Sequence, residues 1–217
     1  MQKNQLTLLV LITAFLFPLQ EAAAHIHYLD MQENNIFNTK TSNSDGSTTY
    51  NTVGLVHGNG AWANATDANW ADSHAIPWYK FDVTNPGGAN IDLSVSGGIT
   101  HVPPDLTTKD DLTPAFSLYK GLLPPSGHDG ATPIEGKEGM WNAFGDTTMG
   151  NGEGDIYEYD PITGEPTFLY NDPGEVRTIH YLTHAGVVNG TDKTVSITDL
   201  FLEPGSYTVA LGGTCFE

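Results

Sequence analysis

The sequence predicts an all-β fold, an antiparallel β-sandwich of jelly-roll-like form with long irregular loops. Three observations carry this. Short apolar–polar alternations recur along the chain, Gly, Pro, Asn and Asp punctuate them, and almost no stretch repeats with helical period. Several short alternating strands separated by turn residues are the pattern of a two-layer β fold.

The elements follow in chain order. Trp78-Tyr79-Lys80-Phe81-Asp82-Val83 alternates, with Tyr79, Phe81 and Val83 on one face and Trp78 opening the strand as a core residue. After the turn residues Asn85-Pro86-Gly87-Gly88, Ile91-Asp92-Leu93-Ser94-Val95 repeats the pattern. Ala115 to Tyr119 gives a third strand closed by Gly121. Thr194–Thr198, Leu200–Leu202 and Tyr207–Leu211 read as later strands, the last launched by the turn Glu203-Pro204-Gly205-Ser206. Residues 34–77 and 121–192 depart from this rhythm. The second holds 13 of the 24 glycines and reads as one long Gly/Asp-rich loop region.

Composition limits what the chain does. With 26 acids, 8 Lys and Arg, and a net charge of -18, it repels phosphate, so neither nucleic acid nor anionic lipid is expected as a partner. A single Cys excludes an internal disulfide framework and a multi-Cys metal site. Residues 1–24 have the form of a secretory signal: Lys3, an apolar run from Leu6 to Phe17, then Ala22-Ala23-Ala24. That run is too short for a membrane span. The expected product is one domain, 25–217, that is secreted or held at the cell surface, where it meets a surface partner.

Eight histidines are the strongest hint of a metal. Cleavage after Ala24 leaves His25 at the new terminus, where amine and imidazole together chelate Cu(II); an ordinary strand start, with His25 and His27 on one face, explains the same residues. His57 and His74 share a loop-rich stretch with Trp62 and Trp70, and His101 sits before Val102-Pro103-Pro104 at a strand exit. Imidazole suits Cu(I), Cu(II) and Zn, so these three are copper candidates, against a reading as exposed or hydrogen-bonded residues. His180 and His184 align on a helix by i,i+4 spacing and share a face in a strand as well.

Calcium is a separate expectation. Asp146, Asn151, Glu153 and Asp155 offer oxygen donors on a Gly-rich backbone, although Ile156 stands where an EF-hand loop needs Gly. Enzymatic signatures are weak. No Gly-x-Ser-x-Gly elbow or phosphate loop occurs, and Tyr181 replaces the Glu of a His-Glu-x-x-His helix. Trp141 is a candidate for sugar stacking or for anchoring a loop, and Cys215 for a free thiol, an intermolecular disulfide or a soft ligand.

Pro77-Trp78-Tyr79-Lys80-Phe81, Pro114 to Gly121 and Leu202 to Gly213 are similar to segments of exported bacterial β-sandwich proteins related to pre-peptidase C-terminal domains. The longer stretch Phe116 to Asp129 resembles a narrower group, the copper-repressible surface proteins of methane-oxidising bacteria. That resemblance implies a non-catalytic copper-binding protein engaged in copper acquisition. The group's ligands are two histidines and a tryptophan oxidised to kynurenine two positions before one of them. This chain departs from that pattern: no Trp-x-His occurs, and the nearest arrangements are Trp70 four before His74 and His57 five before Trp62. Trp62 and Trp70 are therefore the candidates for modification. A calcium-stabilised adhesion or carbohydrate-binding module of the same fold is the alternative.

Overall fold

The computed structural model describes residues 26–33, 38–52, 70–72, 76–97, 113–127, 140–152, 154–159, 166–172, 174–186 and 192–214. Among them no helix occurs, and no helix is long and apolar enough to cross a membrane. The strands are β1 (Tyr28–Asp30), β2 (Asn38–Ser42), β3 (Thr48–Thr52), β4 (Trp70–Asp72), β5 (Trp78–Val83), β6 (Ala89–Ser96), β7 (Thr113–Lys120), β8 (Met140–Asn142), β9 (Thr147–Gly150), β10 (Gly154–Tyr159), β11 (Pro166–Asp172), β12 (Val176–Ala185), β13 (Thr194–Leu202) and β14 (Gly205–Thr214). The chain is a β-sandwich, as its alternating pattern predicts.

Six strands form the main sheet in the order β1-β5-β14-β7-β12-β9, and β6 and β13 pair as the facing layer. Alternation within each strand divides the apolar residues between two clusters. Tyr79, Phe81, Val83, Phe116, Leu118, Tyr207 and Val209 meet Val195, Leu202 and the half-buried Ile91, Leu93 and Val95 of the facing layer. On the opposite face, Trp78, Ala115, Tyr119, Ile179 and Ala210 are covered by Ile26, Ile76, Leu123, Ala143 and Phe144 from the connecting segments. The middle of the sheet is thus dry on both sides, and β7 is buried at every position but its last. Burying such apolar area is the main drive to fold.

The turns do what their residues dictate. Asn85-Pro86-Gly87-Gly88 carries the chain from β5 to β6, across the sandwich, with Gly88 N–H on Asn85 O at 2.9 Å. A side chain at Gly88 (φ +77°) would strike Leu202 O at 2.6 Å, so the crossing requires glycine. The return from β13 to β14 is closed by Tyr207, whose hydroxyl donates to Glu203 O at 2.6 Å. This is the corner device of many β-sandwiches.

Two expectations are corrected. Residues 121–192 are not one irregular loop, because β8 to β12 lie within them. Residues 34–77 hold a β2–β3 hairpin, closed by Asn43 N–H on Ser47 O at 2.9 Å, and also β4. β2 and β3 are rich in Thr and Asn. The polar runs of β2 and β3 are largely exposed, so no apolar periodicity marks them. Thr194–Thr198 and Leu200–Leu202 are one strand, β13, with a bulge between Ile197 and Leu200 at which Asp199 takes φ +54°. The Asp199 N–H is satisfied by Asp92 Oδ1 at 2.7 Å.

The N-terminal segment is fastened to this frame. Ile26 N–H donates to Gly127 O at 2.7 Å, and Ser126 N–H to Ile26 O at 3.0 Å. β1 adds to β5 in parallel. Leu123 N–H donates to the hydroxyl of the half-buried Tyr28 at 3.0 Å, Tyr28 meets Thr208 Oγ1 at 2.9 Å, and Thr208 donates to Gly121 O at 2.7 Å.

Candidate functional site

The chemistry-bearing groups that the structure describes gather on β12 and on the turn before β9. β12 lies between β7 and β9 and pairs with each over half its length. Along β7 its register runs His180↔Lys120 and Tyr181↔Tyr119, then slips by one residue to Thr183↔Leu118 and His184↔Ser117. Leu182 is the inserted residue of this bulge, and its side chain is exposed.

The bulge corrects one expectation. His180 and His184 do not share a face, because their partners Lys120 and Ser117 lie three apart on a regular strand, on opposite sides of the sheet. The inserted Leu182 instead puts Tyr181 and His184 on the same side. There the Tyr181 hydroxyl bonds His184 Nδ1, and the imidazole tilts against the Phe144 ring at 4.5 Å between centroids. Tyr119 stands edge-on to Tyr181 at 5.9 Å. His184 is half-buried, and burial holds its pKa below the ordinary imidazole value. Its Nδ1 is committed to Tyr181.

His180 has the opposite character. Its side chain is 66% exposed, and its Nδ1 lies 2.9 Å from Asp146 Oδ2. The second carboxylate oxygen, Oδ1, accepts the Tyr181 N–H at 2.8 Å. The hydrogen bond from His180, then that from the Tyr181 amide, hold the Asp146 carboxyl below its ordinary range, so it is ionised at neutral pH. An ionised carboxylate only accepts, so His180 Nδ1 carries the proton, and in the neutral ring the lone pair is on Nε2. A carboxylate that fixes an imidazole in this way is the usual support of a histidine metal ligand.

Of the calcium donors, the described side chains Asp146 and Asn151 are not brought together. Asp146 and Asn151 flank β9 at opposite ends. Asn151 Oδ1 accepts the Glu175 N–H at 2.8 Å and Nδ2 donates to Pro125 O at 3.1 Å, so its amide ties loops to one another. Asp155 belongs to β10, opposite Asn171, rather than to a loop. Trp70 is in β4 opposite Asn142, and Trp141 is in β8 opposite Ala71. His25, His57, His74, His101, His128, Glu153, Trp62 and Cys215 lie outside the described residues. Among the described residues no three of His, Cys, Asp and Glu meet in a cage.

Sequence reasoning names His180, His184 and Asp146 but places Asp146 with calcium donors and gives Tyr181 and Phe144 no part in the site. Asp146 ends the Phe144-Gly145-Asp146 turn ahead of β9, and no local pattern joins that turn to β12.

No family model and no curated protein matches the chain. A solved structure that aligns with it is that of CorA, described as a surface-associated copper-binding protein important in copper acquisition by Methylomicrobium album BG8. The alignment has 13% identity and a TM-score of 0.44, and covers 87% of this chain and 83% of that one.

Proposed function

We propose that the chain is an exported, non-catalytic copper-binding protein that captures copper at the cell surface. The observation that carries this reading is the Asp146–His180 pair, an exposed imidazole whose Nδ1–H is committed to a carboxylate. That arrangement leaves Nε2 as a donor of the type borderline metals prefer. The reading is supported by the histidine-rich composition and by the likeness of Phe116 to Asp129 to copper-repressible surface proteins. In it, His57, His74 and His101 are further ligand candidates, and Trp62 and Trp70 the candidates for oxidation to kynurenine.

The test is metal analysis and intact mass of the secreted protein from its own host, followed by Cu(II) titration of wild type and variants. Retained copper, lost in His57→Ala, His74→Ala or His101→Ala, agrees with capture. On the titration, Asp146→Asn weakens binding at His180 by about tenfold to a hundredfold. A protein that retains no copper, and whose titration is the same in His180→Ala as in wild type, overturns the reading.

A further inference from the structure

Tyr181 and His184 form a second pair of chemistry-bearing groups, on the side of the sheet away from His180, and the copper reading makes no use of them. The Tyr181 hydroxyl bonds His184 Nδ1, a contact across which a proton can pass directly. The bulge makes this contact. Residues three apart on a regular strand point to opposite faces, and the inserted Leu182 returns these two to one face.

The surroundings set the direction of the bond. Half-buried against the Phe144 ring, His184 resists a charge, so at neutral pH one of its nitrogens is an acceptor. With Nδ1 as that acceptor, the phenol donates. Tyr28 and Tyr207 have no such neighbour. Tyr207 donates to Glu203 O, and Tyr28 meets Thr208 Oγ1 and the Leu123 N–H, groups that take up no proton at neutral pH.

This difference matters for electron transfer. Removing one electron from a phenol turns its hydroxyl into a strong acid, so the electron leaves readily only where the proton has a base to go to. An imidazole is such a base. The rings nearby suit the oxidised state too. The fully buried Tyr119 stands edge-on to Tyr181 at 5.9 Å, His184 lies at 6.2 Å, and Tyr181 packs on the cluster that contains Trp78. That packing screens a radical from coupling with one on a second chain.

We infer that Tyr181 and His184 form a redox site, at which the protein gives one electron to an outer-sphere one-electron oxidant. The electron leaves the Tyr181 ring, the phenol O–H bond breaks, and the proton forms an N–H bond at His184 Nδ1. The products are a neutral phenoxyl radical, an imidazolium and the oxidant reduced by one electron. One electron from a reductant such as ascorbate reverses the step, and the proton returns to the phenol oxygen. This inference is independent of the copper reading.

The probe is tris(bipyridine)ruthenium(III), generated by a light flash with persulfate in the presence of the metal-free full mature chain. Its positive charge suits a chain of net charge -18. The phenoxyl radical is followed by its optical absorption and its electron spin resonance. A fast phase of radical formation is expected, slower in heavy water because the proton moves with the electron. Tyr181→Phe removes that phase. His184→Gln, which keeps a hydrogen-bond acceptor but no base, slows it by at least about tenfold. Circular dichroism checks that both variants keep the wild-type fold. A fast phase that persists in Tyr181→Phe, a rate unchanged in His184→Gln, or no isotope effect in the wild type would each overturn the inference.

Discussion

β7 and β12 lie side by side in one sheet and serve opposite ends. β7 is regular and buried at all positions but its last, with Phe116 and Leu118 on one face and Ala115, Ser117 and Tyr119 on the other. β12 is exposed at half its positions, carries a bulge, and presents Asp146-bound His180 outward while tucking His184 under Phe144. The regular strand has no spare conformational freedom and contributes packing. The bulged one gives up regular pairing at one residue, and in return sends two imidazoles to different environments.

If that contrast is right, truncations in the two strands differ most of all in stability. Leu118→Ala, at a fully buried position, is expected to cost about 3–5 kcal/mol in urea denaturation, and Leu182→Ala, 40% exposed at the bulge, less than about 1 kcal/mol. Similar losses for both would show that the bulge is a packed core feature rather than an aiming device.

A smaller effect is the pH response of His184. Burial lowers the His184 pKa from 6.5, so the folded state resists the proton that the unfolded chain accepts. Its stability contribution is present above that value and is lost as pH falls below it. Stability measured between pH 7.5 and pH 5 is therefore expected to decline in the wild type and to decline less in His184→Gln. A curve unchanged by the substitution would place His184 in water.

The smallest expected change is in Asp146. Its pKa is held below 3.8 by His180 and the Tyr181 amide, so any stability it contributes is present above 3.8 and lost as pH falls through its depressed value. Its carboxyl carbon, followed by NMR, should titrate at higher pH in His180→Ala than in wild type. No shift would mean that the Asp146–His180 bond does not persist in solution.

The strands legible in the sequence are those with one dry face. Tyr79, Phe81 and Val83, or Ile91, Leu93 and Val95, announce themselves because alternate residues must be apolar to be buried. β2 and β3 have no such obligation, and their Thr and Asn residues read as loop. The turns at Asn85–Gly88 and Glu203–Ser206 were legible for a different reason: only a few residues make such corners. For the site, the residue types were readable and the geometry was not. A bulge adds one residue without altering composition, so spacing alone put His180 and His184 on one face. The bond from His180 to Asp146 spans 34 residues and depends on β9 pairing with β12, which no local pattern records.

The order of strands in the main sheet has a consequence for how the molecule comes into being. β14, the last strand in chain order among those described, lies between β5 and β7 and is hydrogen-bonded to both. Until it emerges from the ribosome, β5 and β7 have no common neighbour, and Tyr28 has no Thr208 to bond, 180 residues away. A nascent chain of this topology has no finished half to fold early. The middle of its main sheet is joined only once β14 has been made, after the other described strands.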